Sequence, residues 1–92
     1  MIRSFEDKRA KRLFDGERIR EFQPFSRQAE KRLRLLDAAD SLQALRMVPS
    51  NRLEALRGDR RGQYSIRINE QWRICFEWRE DGAHHVEIVD YH

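Results

Sequence analysis

A single cysteine, Cys75, is all the disulfide chemistry this chain has. An internal disulfide is therefore excluded, and the usage fits a reducing compartment. Cys75 falls inside an alternating apolar pattern and reads as packing rather than as a nucleophile. Also missing is any apolar run near the ~18 residues a membrane span needs. The first residues include Arg3, Glu6, Asp7, Lys8 and Arg9 with no apolar stretch, so no signal peptide is expected. These absences predict a soluble, cytoplasmic protein with no membrane partner. No internal repeat, low-complexity tract or linker is present. The 92 residues are expected to form one domain, 1–92, near the small end of what folds alone.

Lysine is scarce too. Of nineteen basic residues, all but Lys8, Lys11 and Lys31 are arginine. A formal net charge of +3 is a weak argument for a polyanion partner; the distribution says more. Arg57, Arg60, Arg61, Arg67 and Arg73 crowd around two strand candidates. The planar fork of arginine matches phosphate oxygens two at a time, where lysine offers a point charge. Such a cluster fits contact with RNA or DNA phosphates, and an arginine-rich surface can equally reflect composition alone.

The order of elements follows from periodicity. Met1 to Phe5 reads as a short edge strand. Ser4 could cap a helix from Phe5 to about Phe14, ended by Asp15-Gly16. Pro24 punctuates, and Ser26 is placed to cap a longer helix to about Ala39. There Ala29, Leu33 and Leu36 recur at helical spacing, with Arg27, Glu30, Lys31 and Arg34 on the other faces. Asp40 or Ser41 could cap another turn around Leu42 and Leu45, which gives way at Pro49-Ser50-Asn51. Leu53 and Leu56 read as anchors docking a loop.

From Tyr64 the period changes to two. Tyr64, Ile66 and Ile68 share one face, with Ser65 and Arg67 on the other. Asn69-Glu70 is a tight connection. Trp72, Ile74, Phe76 and Trp78 then share a face, opposite Arg73, Cys75 and Glu77. Glu80-Asp81-Gly82 is a hairpin turn, and a last strand runs through Val86 to Val89. Helices first and an antiparallel meander after predict an α+β fold, with the N-terminal helices on one face of a small sheet. The other face, carrying Arg67 and Arg73, is expected to be an open, shallow, basic cleft, with both arginines exposed.

Asp90, Tyr91 and His92 follow that last strand, and strand pairing would hold them still. A fixed group of Arg, Asp, Tyr and His could handle phosphate chemistry, because the imidazole titrates near neutrality. Tyr91 could instead just close the sheet edge, and His92 could be a loose tail. Arg73 could stabilise a phosphate or pair across strands with Glu77 or Glu87. Asp59 reads as capping the Gly-Asp-Arg turn. His84 and His85, beside the hairpin, read as exposed polar residues and not as a zinc site.

The runs Leu53-Glu54-Ala55-Leu56-Arg57-Gly58-Asp59-Arg60-Arg61-Gly62-Gln63-Tyr64-Ser65-Ile66-Arg67, Gln71-Trp72-Arg73-Ile74-Cys75-Phe76 and Val89-Asp90-Tyr91-His92 resemble one family. It is the HigB-type toxins of bacterial toxin–antitoxin modules (the plasmid maintenance system killer proteins), within the RelE/ParE superfamily. The resemblance spans essentially the whole chain. It implies a RelE-like fold and a small endoribonuclease that enters the ribosomal decoding site and cuts mRNA, without metal or other cofactor. A HigA-like helix-turn-helix antitoxin would hold it inactive, and the pair would bind its own operator DNA.

The resemblance also implies roles. The 2′-OH attacks the adjacent phosphate, which needs a base, cations for the growing charge and an acid for the leaving oxygen. His92 is the proton-transfer candidate. Arg73 would stabilise the phosphate, with Arg57 as a clamp where relatives often carry lysine. Tyr91 would bond or stack on RNA, and Asp90 would orient His92 or an arginine. Arg60, Arg61 and Arg67 would contact the RNA backbone. Glu54 stands where some members carry histidine, which leaves its role open. Two further readings share the fold: a ParE-like DNA gyrase inhibitor acting by binding alone, and a non-toxic subunit that binds only antitoxin and operator DNA. Fold alone does not separate these.

Overall fold

The computed structural model describes residues 1–91. The chain is α+β. Three α-helices, α1 (Lys8–Phe14), α2 (Ser26–Ala38) and α3 (Leu42–Arg46), precede or flank an antiparallel sheet ordered β1-β2-β3-β4. Its strands are β1 (Glu54–Ala55), β2 (Gln63–Arg67), β3 (Trp72–Arg79) and β4 (Gly82–Asp90). Short 3₁₀ turns at Arg20–Phe25, Pro49–Asn51 and Gly58–Arg60 connect them. Among the described residues, no helix is long and apolar enough to cross a membrane.

The core lies between the helices and one face of the sheet. Ala10 and Leu13 of α1, and Ala29, Leu33 and Leu36 of α2, meet Ile66, Ile74, Phe76, Val86 and Ile88. Apolar residues at i, i+4 and i+7 make one stripe on α2, and burying that stripe holds so short a helix in place. Trp72 joins this side as core, stacked on Phe25 at 4.9 Å between centroids and edge-on to Phe22 at 5.9 Å. Trp78 packs half-buried beside Phe76.

Several boundaries differ from those read in the sequence. Helix α1 begins at Lys8, not Phe5, and its cap is Asp7, whose carboxylate accepts from the Arg9 N–H at 2.9 Å. Ser4 and Phe5 are used elsewhere: Phe5 bridges Val86, and the Ser4 hydroxyl accepts from the His85 N–H. The segment 1–6 thus lies parallel along the outer edge of β4, bridged at Ile2–Ala83 and Phe5–Val86. It covers an edge that would otherwise present unpaired backbone groups. The Ile2 N–H is also taken by the Asp37 carboxylate of α2 at 2.9 Å.

Ser26 opens α2 as its first residue, not as its cap, because the 3₁₀ turn containing Pro24 runs straight into the helix. Ser41 does cap α3, accepting from the Ala44 N–H. The two-residue β1 was read as loop; it is too short to show any alternation, yet Glu54 pairs with Ser65 and Ala55 with Tyr64. No side-chain cap closes the Gly58–Arg60 turn, so Asp59 does not cap it.

His84 and His85 lie within β4, half-buried. Cys75 pairs with Glu87 and Glu77 with His84, so His85 and Val86 both stand opposite Phe76. This is a β-bulge, with His85 at φ 54°, the left-handed position usually given to glycine. The bulge aims the His85 ring at Glu6, 3.2 Å away, while His84 bonds Asp81 at 2.6 Å.

Gly82 ends the β3–β4 hairpin at φ +129°, and a Cβ there would sit 2.1 Å from the Met1 carbonyl oxygen. Gly82→Ala should therefore cost roughly 1–3 kcal/mol and loosen the segment 1–6 from β4. Urea melts and amide exchange at Arg3 and Ala83 report both effects; wild-type protection at these amides would refute the packing argument.

Candidate active site

The face opposite the helices is neither bare nor uniformly basic. Its centre is Cys75, fully buried on β3. Above it Arg60 reaches from the Gly58–Arg60 turn to the Glu87 carboxylate at 2.5 Å and to Gln63 at 3.0 Å. The bond to Glu87 raises the guanidinium pKa further, against the opposing effect of burial. Arg60 thus closes this part of the sheet. Burial pushes the Cys75 thiol up, with Arg60 pulling the other way, and thiols are unreactive in that state. Among the described residues, no His, Cys, Asp and Glu cluster could hold a metal ion.

Arg73 is the unexpected residue. The alternation puts it on this face, as read from the sequence, but it is only 9% exposed. Its Nε donates to the Ser65 hydroxyl at 2.8 Å on β2, and one Nη2 hydrogen goes to the Arg52 carbonyl at 2.6 Å. Glu54 of β1 lies 4.0 Å away, in place of the cross-strand partners Glu77 and Glu87. A guanidinium is buried without heavy cost only when its donors are met. Here Ser65 and a loop carbonyl meet two of them and fix the plane of the fork. Among the described residues no acceptor meets Nη1.

The Tyr91 ring lies over this guanidinium, 5.9 Å from Cζ to the ring centroid. Tyr91 remains 40% exposed. Its position comes from the backbone, because the Tyr91 N–H donates to the Gln71 carbonyl at 2.6 Å. Glu54, Ala55, Leu56, Arg57 and Tyr91 line a groove of about 550 Å³. The expected basic cleft is thus a groove of mixed charge. Glu54 and Arg57 form its walls, and the backbone path of Leu53–Leu56 sets both.

The structure brings Arg73, Tyr91 and Arg57 to one place and separates other candidates. Asp90 pairs with Trp72 in the sheet and has the parity of Ile88, which faces the helices. Its carboxylate accepts from the Gln71 side chain at 3.1 Å, so Gln71 holds both Asp90 and the Tyr91 backbone. Arg60 is engaged as described. Arg61 is exposed. Arg67 is half-buried and lies in a second groove with Arg32, Ser50, Arg52 and Asn69. His92 lies outside the described residues. Sequence reading missed Ser65 and Arg52 as the anchors of Arg73. A serine opposite an arginine-bearing strand was a readable signal for the first; nothing local announces a backbone carbonyl.

Removing the guanidinium should destabilise the fold, contrary to what an exposed Arg73 implies. Arg73→Ala is expected to lose roughly 1–3 kcal/mol in urea denaturation, with Arg57→Ala within about 0.5 kcal/mol of wild type. Equal midpoints for the two would show that the Ser65 and Arg52 bonds contribute nothing. Cys75 should also resist alkylation until the chain unfolds; modification at the rate of a free thiol would contradict its burial.

Comparison with known proteins gives this arrangement a context. Residues 3–92 match the family model of HigB-like toxin, described as the RelE-like toxin of type II toxin–antitoxin system HigB. Toxin HigB-1 of Vibrio cholerae serotype O1 is 35% identical over 94 residues, covering 100% of this chain and 98% of the relative. Endoribonuclease HigB of Proteus vulgaris is 32% identical over 103 residues, covering 100% of both.

Proposed function

This chain belongs to the HigB-like family of RelE-like toxins from type II toxin–antitoxin systems, and from that premise we propose that it is a cytoplasmic endoribonuclease that cuts mRNA on the ribosome. One observation carries the reading beyond the family: a fixed guanidinium, Arg73, with its Nη1 edge unused among the described residues, stands under Tyr91 beside a groove walled by Arg57. A pre-oriented cation of this kind stabilises a phosphorane without having to reorganise as charge develops.

In the proposed reaction the substrate 2′-OH attacks the adjacent phosphorus and the 5′-oxygen departs. Arg73 binds the non-bridging oxygens and Arg57 clamps the same phosphate from the groove wall. Tyr91 presents its ring and hydroxyl to the nucleotide. His92 transfers the proton, the role its imidazole suits best. Asp90 acts as a positioning residue, because Gln71 ties it to the backbone that carries Tyr91. Arg60 is held by Glu87, so contacts to the RNA backbone fall to Arg61 and Arg67. The partners are the small-subunit decoding site with its mRNA, a HigA-like helix-turn-helix antitoxin, and operator DNA reached through the complex. A ParE-like gyrase inhibitor is not favoured by these relatives.

Primer extension on ribosome-bound mRNA tests the reading. Wild type should cut within or beside codons. Arg73→Lys should cut roughly two orders of magnitude more slowly, because an ammonium cannot reproduce the fork. His92→Gln should lose at least about a hundredfold while still binding antitoxin. Full cleavage by His92→Gln would remove the imidazole from the mechanism. Inhibition of supercoiling by stoichiometric toxin, without any RNA cleavage, would overturn the whole assignment.

A further inference from the structure

We propose that the groove formed by Arg32, Arg52 and Arg67 is a second phosphate site, which takes a phosphodiester of the same RNA strand next to the one held at Arg73. This rests on the ribonuclease reading above and adds a subsite to it. The groove is separate from that of Arg57 and Tyr91 and measures about 330 Å³. Three arginines line it from three elements: Arg32 from α2, Arg52 from the segment after the Pro49–Asn51 turn, and Arg67 from the end of β2. Among the described residues, no carboxylate lines it.

Arg32 is fixed by the fold, whereas Arg67 and Arg52 are placed in a way that folding rewards little. Arg32 is held by the Asn51 side-chain oxygen at 2.6 Å, and Asn51 is itself fully buried and donates to the Leu45 carbonyl at 3.0 Å. Arg67 stands directly opposite Arg73 in the β2–β3 pairing, and like charges in that relation are destabilising. Among the described residues Arg67 pairs with Glu70, 3.9 Å away with a side chain 95% exposed, a weak compensation. Arg52 adopts φ 45°, an uncommon conformation for a side chain with a Cβ. Its side chain has no partner among the described residues. Three arginines lining one groove, with no carboxylate among its described lining residues, suit an anion, and guanidinium geometry suits phosphate.

The two grooves are mechanically joined. The Arg52 carbonyl that accepts from Arg73 belongs to a residue that lines the second groove. Arg67 and Arg73 share one face of neighbouring strands. A strand bound with one phosphate at Arg73 therefore meets Arg67 and Arg52 as it continues, with Arg32 beyond. A phosphate bound there would also press on the loop that orients the Arg73 fork.

The test is an NMR titration of the full-length chain with an uncleavable single-stranded hexaribonucleotide, 2′-O-methylated throughout, following the arginine Nε–Hε signals. The signals of Arg32, Arg52 and Arg67 should move together with that of Arg73 along one binding curve. Arg52→Gln should weaken binding about fivefold and reduce the slope of log affinity against log salt by about 0.7, the single-strand value for one phosphate. Arg52 is the variant of choice because its side chain bonds nothing among the described residues; equal urea midpoints verify that the fold is intact. If Arg57 and Arg73 respond while Arg52 does not, or if Arg52→Gln leaves affinity and salt slope unchanged, the subsite is refuted and the ribonuclease reading stands. Movement of the three signals with inorganic phosphate but not with the oligonucleotide would make this a free-anion site and overturn the RNA assignment. No response in either groove to the oligonucleotide would bring down both readings together.

Discussion

A buried guanidinium organises the side of the sheet that the helices leave uncovered. Arg73 ties β3 to β2 through Ser65 and to the preceding loop through the Arg52 carbonyl. It supports Tyr91 from below and has Glu54 beside it. Taking arginine out of water is costly, and the cost is offset only while those partners stay in place. The same requirement that fixes the loop also fixes the cation. A charge that cannot swing away suits the phosphate chemistry proposed above, where a fixed cation need not reorganise as charge develops.

The two faces of the sheet solve the burial problem differently. Toward α1 and α2 the solution is apolar, with Phe22, Leu33, Ile74 and Phe76 fully enclosed. On the other face the same strands are closed by polar groups: Arg60 with Glu87 over Cys75, and Arg73 with Ser65. Buried polar groups are tolerable only when satisfied, and among the described residues no side-chain nitrogen or oxygen wholly shut off from water lacks a partner. This polar lid leaves room for a groove at the β1 end, where Glu54 and Arg57 stand apart. The edge strand β4 is covered in turn by the segment 1–6, and the bulge at His85 bends it there.

For a toxin of this family, the arrangement separates stability from function in an economical way. Arg60 and Arg73 belong to one arginine cluster, yet one is engaged in an ion pair and the other is anchored by Ser65 and a loop carbonyl beneath Tyr91. Arg61 is exposed, and Arg52 and Arg67 line the second groove. Charge count alone could not have divided them; partners did.

Much of the architecture was legible in the chain itself. Helical spacing in Ala29, Leu33 and Leu36 marked α2 and its buried stripe, and period-two alternation in Tyr64 to Ile68 and Trp72 to Trp78 marked β2, β3 and the core role of Trp72. The runs around Arg57, Trp72 and Tyr91 also pointed to the family. These signals are local, because side-chain direction repeats with the backbone period. What local pattern could not reveal depended on partners distant in sequence. Asp7 rather than Ser4 caps α1 because Ser4 is drawn to His85, 81 residues away. Arg73 is buried because Ser65 and a carbonyl at position 52 happen to meet its fork. Alternation tells which face a side chain takes; only the folded chain decides whether water or another residue is waiting there.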